Sequence, residues 1–326
     1  MNSRYRISPC LCALTLMCSA WSGLRVVVAQ PYPSKPVRII VATGGGSGDD
    51  TLTRLIAPKL SESLGQQFVV ENRPGAGGMI GQTLAAGAPP DGYTLLYAGG
   101  SMAGSRFVNA AFKLDVLRDF SPVSLLQTGK YVLVVHPNVP ARKLKEYIAL
   151  ARSSPGKMTY ATTGAGQAPY WDAVLFNSMA GIKAVEIPYK ASTEGVVDVI
   201  AGRVDYFFIG SAAAVANKAR LRLLGVTSAT RSSAFPDVPT IAEAALPGYD
   251  MPSWGSLVGP GGLRADIANS LNAAVVRALN APDVRERVLA TGNEPASSSP
   301  DELARRFADW VERYGRIAKL VGIKPQ

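Results

Sequence analysis

Short apolar runs alternate with stretches whose apolar positions recur at helical spacing along most of the chain. VRIIVA (37–42) has the continuous apolar character of a buried strand, and TLTRLIAPKLSESLG (51–65) the period of an amphipathic helix closed by Gly65. QQFVVENR follows as a strand, PGAGGMIGQTLAAGAP as a helix opened by glycines, and YTLLYAGG as a third strand. This βαβαβ order is the grammar of a parallel sheet with crossover helices. FSPVSLLQTGKYVLVVHPNVP (120–140) then reads as two strands flanking Gly129.

A second unit of the same style begins after it. KLKEYIALARSSPG, QAPYWDAVLFNSMAG, STEGVVDVIAGR and AAAVANKAR read as helices, and MTYATTGAG, AVEIPYK, VDYFFIG and LRLLGVTS as strands. Two more helices, ADIANSLNAAVVRALN and PDELARRFADWVERYGRIAKLVG, end the chain. The expected fold class is α/β, two domains each built on a mainly parallel sheet flanked by helices, with a cleft between them. The first domain is discontinuous, 30–128 with 252–326; the second spans 129–251, and the final helices cover the first.

The start of the chain is different in kind. A basic MNSRYR, an apolar CLCALTLMCSAW and a small-residue VVVAQ give residues 1–29 the layout of a secretory signal peptide cleaved near Ala29, which implies export to the periplasm. Cys10, Cys12 and Cys18 all lie within it, so the mature chain has no thiol for disulfides, catalysis or metal binding. Met17 in front of Cys18 argues against lipidation there. Cleavage also removes Arg4, Arg6 and Arg25 with no acid, lowering the formal net charge from +10 to +7. The basic residues are scattered, which favours small anionic ligands over nucleic acid. The single histidine, His136, ends an apparent strand and reads as a turn residue. Triads and zinc sites therefore have no basis, and no cofactor or metal is expected.

Two Gly-rich turns follow a strand and precede a helix: ATGGGSGDD at 42–50 and TTGAGQ at 162–167. Neither fits a phosphate loop. Asp49 and Asp50 occupy the place of the required Lys and Ser/Thr, and G-x-G-x-x-G finds Asp49 or Thr51 at its third glycine. Asp49 or Asp50 can cap the following helix, leaving the amides around Gly46, Ser47 and Gly48 to meet a carboxylate. Thr163, Gly164, Ala165, Gly166 and Gln167 can do the same from the other domain, so that two facing cradles fit a small acid. Tight turns that need glycine for backbone reasons alone would carry the same letters. So would an Asp49–Asp50 acid/base pair, although adjacent residues at a helix start diverge.

YPSKPVRIIV, VVENRPGAGG (69–78), PDGYTLL (90–96), LRDFSPVSLL (117–126), IPYKAS (187–192), LLGVTSATRSSAFPDVPTIAEAALPGY (223–249) and SWGSLVGP (253–260) occur in order. With them the chain resembles the Bug family, the extracytoplasmic solute receptors of tripartite tricarboxylate transporters. The resemblance implies a type II-like periplasmic binding protein that closes on its ligand, binds without catalysis, and hands a small organic acid to membrane transporter components. It implies ligand contacts from the two turns, Gly46, Ser47, Gly48, Asp49 and Asp50 with Thr163 to Gln167, and from Ser101 after the third strand. Thr43, Tyr170, Lys190, Ser192 and Ile209 complete the expected site, and the protein is expected as a monomer. An exported enzyme acting on an anionic substrate and a ligand-presenting partner of a sensor kinase remain alternatives.

The chain departs from the family pattern at three places. Ala42-Thr43-Gly44-Gly45 stands for Pro-Phe-x-Pro, Ala168-Pro169-Tyr170 for Ser-Ser-His, and Phe208-Ile209-Gly210 for Phe-Asp-Asn. The lost aspartate disfavours an amino-acid ligand and leaves a simple or aromatic carboxylate as the expectation.

Overall fold

The computed structural model describes residues 32–325. The signal-peptide reading, the three cysteines and the cleavage point near Ala29 lie outside those residues. In chain order the first sheet begins β1 (Val37–Val41), α1 (Gly48–Leu64), β2 (Phe68–Asn72), α2 (Met79–Ala86) and β3 (Thr94–Gly99). A 3-10 turn, Ala76–Gly78, precedes α2, and a longer 3-10 segment, Gly100–Phe107, follows β3. Then come β4 (Phe120–Gly129), β5 (Tyr131–Val135), α3 (Leu144–Arg152), β6 (Met158–Thr162), α4 (Ala168–Ala180) and β7 (Ala184–Pro188). The chain continues through α5 (Ser192–Ile200), β8 (Tyr206–Gly210), α6 (Ser211–Asn217), β9 (Arg222–Val226) and α7 (Ile241–Ala244). It ends with β10 (Ser253–Pro260), α8 (Ala265–Asn280), α9 (Pro282–Ala290), β11 (Glu294–Pro295) and α10 (Pro300–Val321).

The strands form two sheets, ordered β11-β4-β10-β3-β1-β2 and β7-β6-β8-β5-β9. Sheet membership changes between Gly129 and Tyr131 and returns to the first sheet at Ser253. Each sheet is mixed rather than mainly parallel. Pairings of β1 with β2 and β3, and of β6 with β7 and β8, are parallel. The strands at the crossings between the sheets, β4, β5 and β10, pair antiparallel with their neighbours.

Local chemistry explains the elements that hold the site. Val37, Ile39, Ile40 and Val41 are fully buried, as a central strand covered on both faces requires. β8 alternates: Tyr206 and Phe208 join one apolar cluster, Phe207 and Ile209 the other. The C-terminal helix does more than cover the first sheet. Tyr314 of α10 packs tilted at 4.6 Å against Trp171 of α4, while Trp310 meets Trp254 of β10 edge-on at 6.0 Å, so α10 packs against both lobes. Ser299 caps it in a reciprocal box with Glu302. No described helix is long and apolar enough to cross a membrane.

Candidate functional site

The first Gly-rich turn joins the C-terminal end of β1 to α1. Ser47 caps the helix in place of either aspartate, its Oγ accepting the Asp50 amide at 3.2 Å. The reason is backbone direction: Ser47 is extended (φ −65°, ψ 163°), whereas both aspartates are already helical. Thr43 steadies the cap, with its Oγ1 2.8 Å from Ser47 Oγ. Gly46 turns the chain at φ +78°, a conformation that side chains avoid.

Asp50 ties this turn together from inside. Its Oδ2 accepts the Gly46 amide at 2.9 Å, and its Oδ1 accepts Arg54 Nε and Asn72 Nδ2, each at 2.9 Å. Asn72, at the end of β2, also donates to the Thr43 carbonyl. The Gly46 amide and Arg54 guanidinium are among the contacts that hold the Asp50 carboxyl below its ordinary range despite burial. The Gly46 amide therefore points inward, and Ser47 N–H is spent on Gly44 O at 3.3 Å. That leaves Gly48 and Asp49, the first two helical residues, as the donors without an internal acceptor.

Asp49 has a different environment. Burial pushes its carboxyl up to about 6, against opposing hydrogen bonds from Tyr97 and Thr43. Tyr97 also accepts Gln127 Nε2 at 3.2 Å, and it has room because position 255 is glycine: a Cβ there would sit 1.9 Å from the phenol oxygen. None of Tyr97, Gln127 and Gly255 announces itself by local sequence.

The second turn joins β6 to α4. Thr162 Oγ1 accepts the Gly164 amide at 3.2 Å and donates to Glu186 at 2.6 Å. Gln167 occupies the cap position with no capping bond, because its side chain reaches across to the Gly77 carbonyl in the turn before α2. A Cβ on Gly77 would lie 2.7 Å from the Ala165 carbonyl, and one on Gly78 within 3.5 Å of Ala42 and 3.0 Å of Gln167. The two Gly-rich turns thus come together through GAGG of the 69–78 stretch, a contact that the sequence reading did not foresee.

The remaining expected residues scatter. Ser101 stands in the 3-10 segment after β3, its hydroxyl 3.8 Å from the place of a Cβ on Gly99. Thr163 opens the second turn, and Tyr170 packs edge-on to Trp171 at 5.7 Å, with burial and Glu186 raising its phenol. Lys190 is exposed and Ser192 begins α5, in a loop tied to the second turn by the Tyr189 amide on Thr162 O at 2.9 Å. The Ile209 side chain is fully buried in the second sheet's own core, on the opposite face of β8 from Phe208. His136 is a turn residue, its Nδ1 accepting the Asn138 amide at 3.0 Å.

The sequence model of the tripartite tricarboxylate transporter family receptor matches residues 52–323. The chain belongs to this family. Protein BugT of Bordetella pertussis is 33% identical over 302 residues, covering 91% of this chain and 93% of the relative. A protein from the tcbD-tcbE intergenic region of Pseudomonas sp. strain P51 is 36% identical over 299 residues, covering 91% and 89%. Among solved structures, the periplasmic binding protein BugD superposes with a TM-score of 0.85 at 25% identity, covering 90% of this chain and all of that one (100%). R. palustris Rpa4515 with adipate gives 0.85 at 31% identity, covering 90% and 100%. MatC from Rhodopseudomonas palustris with bound malate gives 0.83 at 28%, covering 88% and 100%. The α/β fold with two helix-flanked sheets is accordingly that of periplasmic binding proteins of this receptor family.

Proposed function

We propose that the protein is a periplasmic receptor that captures a small organic carboxylate between two lobes, 30–128 with 252–326 and 129–251. It delivers this ligand to the membrane components of a tripartite tricarboxylate transporter. The observation that carries the reading is the meeting of two helix-start turns, one from each sheet. Each offers backbone amides with no internal acceptor at the positive end of a helix. Gly48 and Asp49 supply them on one side, Ala165, Gly166 and Ala168 on the other, with Thr43, Ser101 and Gln167 at the rim. A carboxylate gains charge-assisted bonds from such donors without needing a basic side chain.

The mechanism follows from where the donors sit. A ligand can reach both sets only when the lobes are closed, so binding shifts an open–closed equilibrium. Gln167 on the Gly77 carbonyl joins the second turn to the one before α2. The adipate and malate carried by the two R. palustris relatives support the ligand class, and the family supports the transporter as destination.

Thermal-shift and calorimetric titration with dicarboxylates, aromatic acids and amino acids tests the reading. A true ligand at a hundredfold its Kd stabilises by about 2.7 kcal/mol. A panel in which no carboxylate moves the melting temperature contradicts it. The enzyme alternative has one observation in favour, the acid Asp49 held near neutrality, and turnover of a bound carboxylate would be its signature.

A further inference from the structure

Basic residues that are scattered along the sequence are gathered in the fold of the second sheet. Strand pairing puts the beginnings of β6, β7, β8 and β9 level with the end of β5. Met158 is opposite Ala184, Tyr160 opposite Tyr206, and Val135 opposite both Tyr206 and Arg222. The five stretches around those ends, 136–143, 152–157, 180–183, 201–205 and 217–222, therefore share one pole of the sheet. The second Gly-rich turn follows the other end of β6, so this pole faces away from the amide cradle. Five strands spaced at about 4.8 Å make it about 20 Å wide.

Every stretch brings cations. Arg142, Lys143, Lys157, Lys183, Lys218 and Arg220 are exposed, and none has an ion-pair partner among the described residues. Three more cations hold the stretches in place. Arg222 donates to the carbonyls of Val139 at 2.6 Å and Ala141 at 2.8 Å, Arg152 donates to Ala180 O at 2.5 Å, and Arg203 pairs with Asp198. The other acids there are occupied by neutral donors. Asp205 accepts the Thr159 amide at 2.7 Å, and Glu146 accepts the amides of Arg142 and Lys143. The matching end of the first sheet, where β4 begins and β10 ends, is balanced locally by Arg118 with Asp119 and Arg264 with Asp266. Only the second sheet leaves a broad face of unopposed positive charge at that end.

The make-up of this face selects its partner. None of the five stretches contains Phe, Tyr or Trp. Single-stranded nucleic acid is held by aromatic side chains that stack on its bases, and protein interfaces are anchored by Trp and Tyr in pockets. Here long lysine and arginine side chains stand on separate short loops, as point charges without an apolar anchor. They fit a partner that is itself broad, laterally mobile and negative, as a bilayer of acidic phospholipids is. We propose that this pole is a reversible membrane-attachment surface that recognises anionic lipid headgroups and holds the protein close to the bilayer. Lipid and carboxylate occupy opposite ends of the same strands, so attachment does not depend on the ligand.

Vesicle flotation of the chain from Gln30 onward tests this; it keeps the compact unit Pro33–Gln326 and omits the apolar start, which would enter a bilayer on its own account. The vesicles are phosphatidylcholine alone or with roughly a third of phosphatidylglycerol. Each is assayed at about 0.02 M and about 0.5 M salt. A Lys or Arg close to an anionic bilayer contributes roughly fivefold in affinity. The triple variant Lys157→Gln, Lys183→Gln, Lys218→Gln should therefore bind roughly a hundredfold more weakly than wild type. A control triple of equal net charge, Lys113→Gln, Arg285→Gln, Arg287→Gln, removes exposed cations from the other lobe and should bind as wild type does. Binding confined to the acidic vesicles, lost at the higher salt and in the first triple alone, is the expected result. Indifference to phosphatidylglycerol, or equal loss in both triples, overturns the proposal. So does tighter binding of a short DNA duplex than of acidic vesicles at the same salt. The first triple should still take up carboxylates like wild type. A protein that floats with acidic vesicles yet binds no carboxylate would fail the receptor reading alone.

Discussion

Asp50→Ala should cost the protein about 3 kcal/mol and abolish ligand binding. Its carboxyl gathers the Gly46 amide, Arg54 Nε and Asn72 Nδ2, so the truncation strands three donors at once. Breaking a buried pair costs about 3–5 kcal/mol, and the half-exposed Arg54, which water can re-solvate, places the figure at the lower end. Binding suffers more than stability, because Gly46 is the pivot that aims the Gly48 and Asp49 amides. The pH dependence has a fixed sign. Asp50 titrates below its unfolded value of 3.8, so its stabilisation is complete above that pH and is lost as pH falls through the lower folded value. Urea unfolding of wild type and variant at neutral pH measures the difference. A variant as stable as wild type that still binds would contradict the structural role assigned to Asp50.

Its neighbour should behave in the opposite way. Asp49→Asn is expected to stabilise the empty protein at neutral pH by about 1–2 kcal/mol. The native carboxyl sits at about 6 against 3.8 when unfolded, so between those values the native state binds more of the proton. Stability of wild type therefore falls as pH rises through that window and is fully reduced above 6. At about 1.4 kcal/mol per pK unit the whole shift is worth about 3 kcal/mol, discounted here because Asp49 is not wholly shielded from water. Asparagine removes the charge and with it the loss, so the two melting curves should converge below about pH 4 and separate above about pH 6. A separation independent of pH would refute the account.

Much of the fold could be read from local pattern, since a period of two or of three to four residues reports which face is buried. The strands β1 to β9 and the helix-start turns all lie where VRIIVA, TTGAGQ and their kin put them. Helix α9 escaped notice because only Val284 and Val288 of its nine residues are buried, too few to show a period. The mixed sheets escaped because strand direction depends on the partner, not on the strand. In the site, the glycines were visible but their division of labour was not. Whether the Gly46 amide faces in or out is decided by Asp50 together with Asn72, a residue that only the pairing of β1 with β2 brings close. Tyr97, Gln127, Tyr131 and Asp172 come from four separate elements, so no local pattern relates them. The burial of the Ile209 side chain was legible, since the alternation within VDYFFIG puts it on the opposite face from Phe208.

The claim at the centre is that backbone amides, not charged side chains, hold the ligand carboxylate. Gly48→Pro tests it most directly. Position 48 is the first helical residue, where proline is favoured, and Ser47 before it is already extended as proline requires. No atom lies within 4 Å of a Cβ there, so the ring has space, and the substitution deletes one N–H and little else. Calorimetric titration of the strongest ligand from the panel should show affinity lowered by roughly tenfold to a hundredfold, with an unchanged melting temperature. An unchanged affinity in a folded Gly48→Pro protein would contradict the amide cradle.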